Sequence, residues 1–269
     1  MRLRLLRLAG ISAALIALTV AFAHAQTPSG ELNMAWTNCY ADAGTLNKTF
    51  ACNSNTGSST LVLSFTAPSA PAVDSLTGAE AFLDLVSQSS PLPQWWSMFN
   101  QGTCRTSSLT GNTAIPGSAV VCQDAWSGLG VGGVIGYDIG VLSGDPIGDA
   151  LPNINSSNIA QVAVIDCAAA VPSQSPQQIV AGTEYFLFNV KITNAGTVGT
   201  TCTGCSDPVC LSFSHLHISQ PVGNGDWWVT TPGPSMSGAN MVTWQGTGAN
   251  CSIVPVKAKS WGALKSMYR

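Results

Sequence analysis

The sequence predicts an all-β protein, a single antiparallel β-sandwich that is stabilised by disulfide bonds and carries one or two short helices. Short alternating or β-rich runs recur between Gly, Pro, Ser, Thr and Asn, and helical periodicity is nearly absent after the N-terminal segment. Hydrophobic residues make up 45% of the chain and charged residues only 9%, which excludes a disordered chain and a coiled coil. Nine cysteines add a disulfide framework if the chain is exported.

Residues 1–25 read as a signal peptide. Arg2, Arg4 and Arg7 precede an apolar run over residues 8–22, and residues 23–25 (Ala-His-Ala) match the small-x-small cleavage pattern. The run is shorter than the roughly 20 apolar residues that span a bilayer, and no later segment approaches that length. We therefore expect a secreted protein, extracellular or periplasmic or at the cell surface, with no membrane span after cleavage.

The mature chain is predicted to be acidic with a basic end. Without the leader, seven Lys and Arg face thirteen Asp and Glu, a balance that argues against a nucleic-acid partner. Four cations crowd the tail of residues 257–269, namely Lys257, Lys259, Lys265 and Arg269. This tail is either a solvated terminus or a short helix that docks on an anionic surface or on the acidic body.

Nine strands are predicted within one domain, residues 26–256. In the second of them, Leu61, Leu63 and Phe65 alternate onto one face, as a half-buried strand requires. The strands are expected over residues 32–37, 60–66, 79–88, 119–125, 134–142, 159–167, 185–193, 209–220 and 241–245. Short helices are expected over 93–99 and 260–269, and a polar loop over 144–157.

This strand pattern resembles exported immunoglobulin-like or cohesin-like sandwiches in general shape, although no family motif matches residue by residue. The likeness concerns the fold alone and implies no function. Residues 128–133 match G-x-G-x-x-G, but the continuation reads as a strand where a dinucleotide site needs a helix. We expect these glycines to permit a bulge or a hairpin turn.

All nine cysteines lie beyond the cleavage site, and an odd count leaves one thiol free or intermolecular. They are Cys39, Cys52, Cys104, Cys122, Cys167, Cys202, Cys205, Cys210 and Cys251. Short separations suggest the pairs Cys39–Cys52 and Cys104–Cys122, although spacing does not fix connectivity. The C-x2-C-x4-C cluster that begins at Cys202 is predicted to be a disulfide-stapled turn, with a metal centre or a redox-active CxxC as alternatives.

Candidate metal ligands are few. His215 and His217 flank one residue, so on a strand both imidazoles share a face, where a third ligand would complete a zinc or copper site. Asp145 and Asp149 gather oxygen ligands in one loop that calcium would favour, although the spacing does not match an EF-hand. We expect no other cofactor.

No coherent acid–base–nucleophile set is visible, so no catalytic residue is nominated. Residues 233–238 resemble a nucleophile elbow but fail the G-x-S-x-G pattern, and only the two linked histidines could serve as a base.

Tryptophans provide the main binding candidates. Trp95–Trp96 and Trp227–Trp228 are adjacent pairs beside loops, and neighbours on a strand point to opposite faces. One ring of each pair could therefore stack on a sugar or anchor a protein, or all four could fill the ends of the core. The sequence thus predicts an exported, non-enzymatic binding or structural protein with a glycan or protein partner. The alternatives are a carbohydrate-binding module that uses these tryptophans and a metal-dependent protein centred on the H-x-H pair.

Overall fold

The computed structural model describes residues 31–68, 73–99, 104–143, 154–155, 160–230 and 239–246. These residues form a nearly all-β protein, which confirms the predicted class. The strands are β1 Glu31–Trp36, β2 Asn47–Lys48, β3 Ser58–Thr66, β4 Ser75–Leu76, β5 Gly78–Ser87, β6 Leu109–Asn112, β7 Gln123–Asp124, β8 Val131–Ile139, β9 Leu142–Ser143, β10 Ile154–Asn155, β11 Val162–Ala170, β12 Gln177–Gln178, β13 Glu184–Thr193, β14 Val209–Ser219, β15 Trp227–Thr230 and β16 Met241–Trp244.

Two large sheets organise these strands. The first contains five strands in the order β1-β3-β13-β6, with β7 joined to β13; the second contains seven in the order β2-β16-β14-β5-β11-β8, with β15 joined to β14. Two short two-stranded sheets, β9–β10 and β4–β12, accompany them. Most neighbours are antiparallel, and the parallel pairs β7–β13 and β2–β16 are each only two residues long.

One hydrophobic core joins the inner faces of the two large sheets. Leu63 and Phe188 from the five-stranded sheet and Leu83, Ile165 and Phe213 from the seven-stranded sheet are fully buried in the same cluster. Alternation places these side chains inward, because successive residues of a strand point to opposite faces. The predicted inner face of β3 is confirmed, since Leu61, Leu63 and Phe65 are buried together.

Eight of the nine predicted strands correspond to observed ones. The ninth, over residues 119–125, is reduced to β7, because the chain around it is a loop whose backbone N–H groups bind the Asp42 carboxylate. β6 and β15 were not predicted: both are four residues long, and β6 contains Gly111. The helix predicted over residues 93–99 is a single 3-10 turn, Gln94–Trp96, which follows Pro93.

The glycine-rich run over residues 128–133 does form a turn followed by a strand. Gly128 lies in the turn with φ +75°, and β8 begins at Val131. A Cβ on Gly133 would lie 2.3 Å from the carbonyl oxygen of Gly111 on β6. The glycines therefore allow β6 and β8, which belong to different sheets, to touch backbone to backbone at one side of the sandwich.

The disulfide pairing differs from the expectation. Cys39 pairs with Cys122, Cys52 with Cys205, and Cys104 with Cys202, so the predicted pairs Cys39–Cys52 and Cys104–Cys122 are wrong. The prediction was wrong because closeness in sequence does not set the pairing here. Each of these cysteines lies in a loop, and the cysteine nearest to it in space comes from a distant part of the chain. Cys210 is also disulfide-bonded. Cys167 is the free cysteine of the described residues, and it is buried in β11.

Several predictions fall outside the described residues. These are the leader, residues 1–25, the basic tail, residues 257–269, the calcium candidates Asp145 and Asp149, and Cys251. Within the described part of the chain, no helix has both the length and the apolar character that crossing a membrane requires.

Candidate functional site

Three of the four candidate tryptophans belong to the core. Trp95 and Trp96 are fully buried and Trp227 is 7% exposed, so their rings cannot stack on a ligand, which corrects the prediction. Trp95 and Trp96 lie in a cluster with Trp36, Phe50 and Trp244, in which the Phe50 and Trp244 rings stack at 3.7 Å.

The sequence misled at Trp95–Trp96 because the pair lies on a 3-10 turn and not on a strand. Consecutive side chains of such a turn can both reach the same interior, whereas those of a strand cannot. A polar cavity of about 380 Å³ lies beside this turn, but Pro91, Pro93 and Gln94 line it and the indole rings do not.

Both histidines lie on the outer face of the seven-stranded sheet. A bulge at Ser214 shifts the ladder between Phe213 and His215, so His215 is opposite Phe82 and His217 is opposite Glu80 on β5. The bulge explains a pattern that the sequence left ambiguous. Phe213 and Leu216 are three residues apart and would face opposite sides of a regular strand. The bulge between them lets both face the core.

We define the polar face as the outer-face side chains of Glu80, Asp84, Asp166, His215, His217 and Trp228. They come from four adjacent strands, β15, β14, β5 and β11. Strand register places Trp228, His217 and Glu80 in one row across the sheet. Asp166 is opposite Phe82, in the row of His215.

A buried network forms the centre of the polar face. Asp84 is 7% exposed and accepts hydrogen bonds from the Ser143 backbone N–H at 2.7 Å, the Ser143 hydroxyl at 2.7 Å and the Ser214 hydroxyl at 2.6 Å. His215 Nδ1 lies 3.2 Å from the Ser143 hydroxyl oxygen. Burial raises the pKa of Asp84, and the Ser214 and Ser143 hydrogen bonds oppose that rise.

This network contains an acid, a hydroxyl and an imidazole in an order that does not suit nucleophilic catalysis. In a serine triad the imidazole lies between the acid and the hydroxyl and removes the hydroxyl proton. Here the Ser143 hydroxyl donates its single proton to Asp84, and its oxygen is left to accept from His215. The arrangement holds β9 against the sheet and does not make Ser143 a nucleophile.

An aromatic platform lies at the edge of the polar face. The rings of His217 and Trp228 stack with centroids 4.0 Å apart and an angle of 8° between their planes. His217 Nε2 contacts the Asp226 carboxylate at 3.0 Å, and the Asp226 side chain is 47% exposed. Trp228 itself is half-buried, so among the four candidates it alone offers its ring to solvent.

Two further carboxyl groups on this face hold protons more tightly than usual. Burial raises the pKa of Asp166 to about 7, and the charges of Glu80 and Asp138 add to the rise. Burial also raises the pKa of Glu80, while the imidazole of His217 partly lowers it. The polar face thus contains one acid, Asp166, that can donate a hydrogen bond near neutral pH as well as accept one.

Asp166→Asn is expected to stabilise the protein at pH 8 by about 1–2 kcal/mol and to leave stability at pH 4 nearly unchanged. A folded-state pKa of about 7, above the ordinary aspartate pKa of 3.8, means that stability is lost as the pH rises from about 4 to about 7. The asparagine side chain of the variant carries no charge at either pH, so the variant avoids this loss of stability. Denaturant unfolding at both pH values measures the effect, with the exposed Glu31→Gln as control; equal destabilisation at both would contradict it.

The described residues do not assemble a metal site around the H-x-H pair. One group of three possible ligands lies close together, Cys39, Asp42 and Cys122, but its two sulfurs are already joined in a disulfide. The C-x2-C-x4-C cluster is likewise oxidised, since Cys202, Cys205 and Cys210 are all disulfide-bonded. This confirms disulfides there and corrects both alternatives: a metal centre needs thiolates, and a redox-active CxxC needs its two cysteines paired with each other, whereas Cys202 and Cys205 pair with Cys104 and Cys52.

No protein-family model matches this chain, and no curated protein matches it. The fold and the site define this protein as a disulfide-bonded β-sandwich with a polar outer sheet face.

Proposed function

We propose that this protein is an exported, non-enzymatic binding protein that holds a saccharide at the edge of the polar face. The observation that carries the proposal is the stacked pair of Trp228 and His217, flanked by Asp226 and Glu80. A flat aromatic ring suits the apolar face of a sugar, and neighbouring carboxylates accept its hydroxyl protons. The proposal corresponds to the carbohydrate-binding alternative of the sequence analysis, with Trp228 as the one remaining tryptophan of the four.

Export is supported by chemistry that an oxidising compartment favours. Seven described cysteines are disulfide-bonded, and such bonds form and persist mainly outside the cytoplasm. A non-enzymatic role is supported by the Asp84 network, in which the Ser143 hydroxyl donates its proton to the acid and not to the His215 imidazole beside it. Binding a protein surface through the same platform is the competing reading.

Trp228→Ala is expected to weaken saccharide binding at least about tenfold, because the stacking surface is lost. The mature protein would be screened on a glycan panel, and the best ligand then measured by calorimetry with the wild type and the variant. Trp228→Phe keeps a ring and should retain part of the affinity.

Tyr40→Ala removes another exposed aromatic ring, 43% exposed in a different loop, and serves as the matched control. Melting curves would establish that both variants fold. Unchanged affinity in Trp228→Ala would contradict the proposed site. Binding to a protein partner with no response to any glycan would replace the saccharide with that partner.

A further inference from the structure

A second polar cavity lies against the five-stranded sheet, away from the polar face. Its volume is about 370 Å³, which is within the range of small-molecule sites. Its lining includes four Ser and Thr residues, one Asn and one Lys: Thr37, Ser58, Ser59, Thr60, Asn189 and Lys48. Hydroxyls both donate and accept hydrogen bonds, so this wall suits a ligand that is itself rich in hydroxyl groups.

Lys48 gives the cavity a positive charge that no acid of the described residues neutralises at close range. Among the described residues no carboxylate lies within 4 Å of its ammonium group, which donates a hydrogen bond to the Thr37 hydroxyl at 3.2 Å and lies 5.3 Å from the centre of the Phe50 ring. In a protein with a net charge of −3, an unpaired cation in a concave site favours an anionic ligand.

The positions of the other cations in the described residues also favour an anionic ligand here. Besides Lys48 they are Arg105, which is buried, and Lys191, which is exposed and directly opposite Thr60 in the β3–β13 ladder. Paired residues share a sheet face. Lys191 therefore lies on the face of the five-stranded sheet that carries the cavity, and Lys48 lines the same cavity from β2, at the edge of the seven-stranded sheet.

Backbone strain at Thr37 points to the same place. Thr37 has φ +79°, which is unfavourable for a β-branched residue. Its N–H donates to the carbonyl oxygen of Thr60 at 2.8 Å, and its hydroxyl accepts from Lys48. The strained residue thus positions the ammonium group, and strain of this kind is concentrated at functional sites.

We infer that this cavity binds a hydroxylated anion, a sugar that carries a carboxylate or phosphate group. Lys48 takes the anionic group, and the hydroxyls of Thr37, Ser58 and Thr60 bind the sugar hydroxyls. The site is separate from the platform at Trp228, is lined mainly by β3 and β13 of the five-stranded sheet, and does not depend on the proposed function.

Calorimetry on the mature protein tests this inference with four probes: galacturonate, galactose 6-phosphate, galactose and inorganic phosphate. At least one acidic sugar is expected to bind at least about tenfold more tightly than galactose, and the comparison of the two identifies the anionic group. Lys48→Gln should weaken that binding at least about tenfold, and Lys48→Arg should retain most of it.

Matched variants separate the cavity from the rest of the surface. Thr60→Val removes a cavity hydroxyl and should weaken binding, whereas Thr110→Val, on the exposed outer position of β6, should not. Trp228→Ala should leave acidic-sugar binding unchanged, which distinguishes this site from the platform. The inference would be overturned if galactose or inorganic phosphate bound as tightly as the best acidic sugar. It would also be overturned if Lys48→Gln bound that sugar with the affinity of the wild type.

Discussion

Removal of the Cys52–Cys205 disulfide is expected to lower the free energy of unfolding by up to about 5 kcal/mol. The bond joins residues 153 positions apart, the longest separation of the three described pairs. A cross-link restricts the unfolded chain more as the loop it closes grows longer. Cys205 also contacts the core directly, because its backbone carbonyl oxygen accepts a hydrogen bond from the Trp244 indole N–H at 2.7 Å. Guanidinium unfolding of the Cys52→Ala, Cys205→Ala double variant measures the loss.

The free cysteine supplies the control. Cys167→Ala removes one buried sulfur without breaking a cross-link, so it should cost about 1 kcal/mol. A double variant that loses no more stability than Cys167→Ala would contradict the prediction. Thiol titration of the denatured, unreduced wild type is expected to label Cys167, whereas Cys52 and Cys205 should not react.

Arg105→Met is expected to destabilise the protein by about 3–5 kcal/mol. The Arg105 side chain is 2% exposed, and its guanidinium donates to the carbonyl oxygens of Trp95 at 2.6 Å, Ala195 at 2.9 Å and Thr193. It also lies over the Trp95 ring, 3.4 Å from the ring centre. Methionine fills part of the space but leaves these buried acceptors unsatisfied, each at a cost.

Arg105→Lys tests whether geometry or charge matters. Lysine keeps the charge but lacks the planar fork that reaches three acceptors at once, so we expect an intermediate loss. Denaturant unfolding measures stability, and near-ultraviolet circular dichroism reports on the packing of Trp95. A loss below about 1 kcal/mol in Arg105→Met would show that the hydrogen bonds of Arg105 contribute little.

The strands were predictable where local sequence decides them. In β3 the alternation of Leu61, Leu63 and Phe65 identifies both the strand and its inner face, because burial selects one side of the pleat. β6 is different: Leu109 is its only large apolar residue, and the strand exists because β13 offers it a ladder of hydrogen bonds. Such a strand depends on tertiary context that the sequence does not display.

The candidate site was predictable only in part. The shared face of His215 and His217 follows from strand period, but their neighbours follow from strand order, which places β5 between β11 and β14. Glu80 and Asp166 are 86 positions apart in the sequence, and no spacing rule connects them. One signal was available in β5, where Glu80 and Asp84 alternate with core residues and must therefore face outward.

The bulge at Ser214 has a consequence for how this surface can diversify. Because the extra residue resets the alternation of β14, His215 and His217 project outward while Leu216 and Ile218 stay in the core. Substitutions at the outward positions can therefore alter ligand preference without repacking the interior. If Ser214 instead took a regular place in the ladder opposite Phe82, His215 and His217 would turn into the core and Leu216 and Ile218 would face outward.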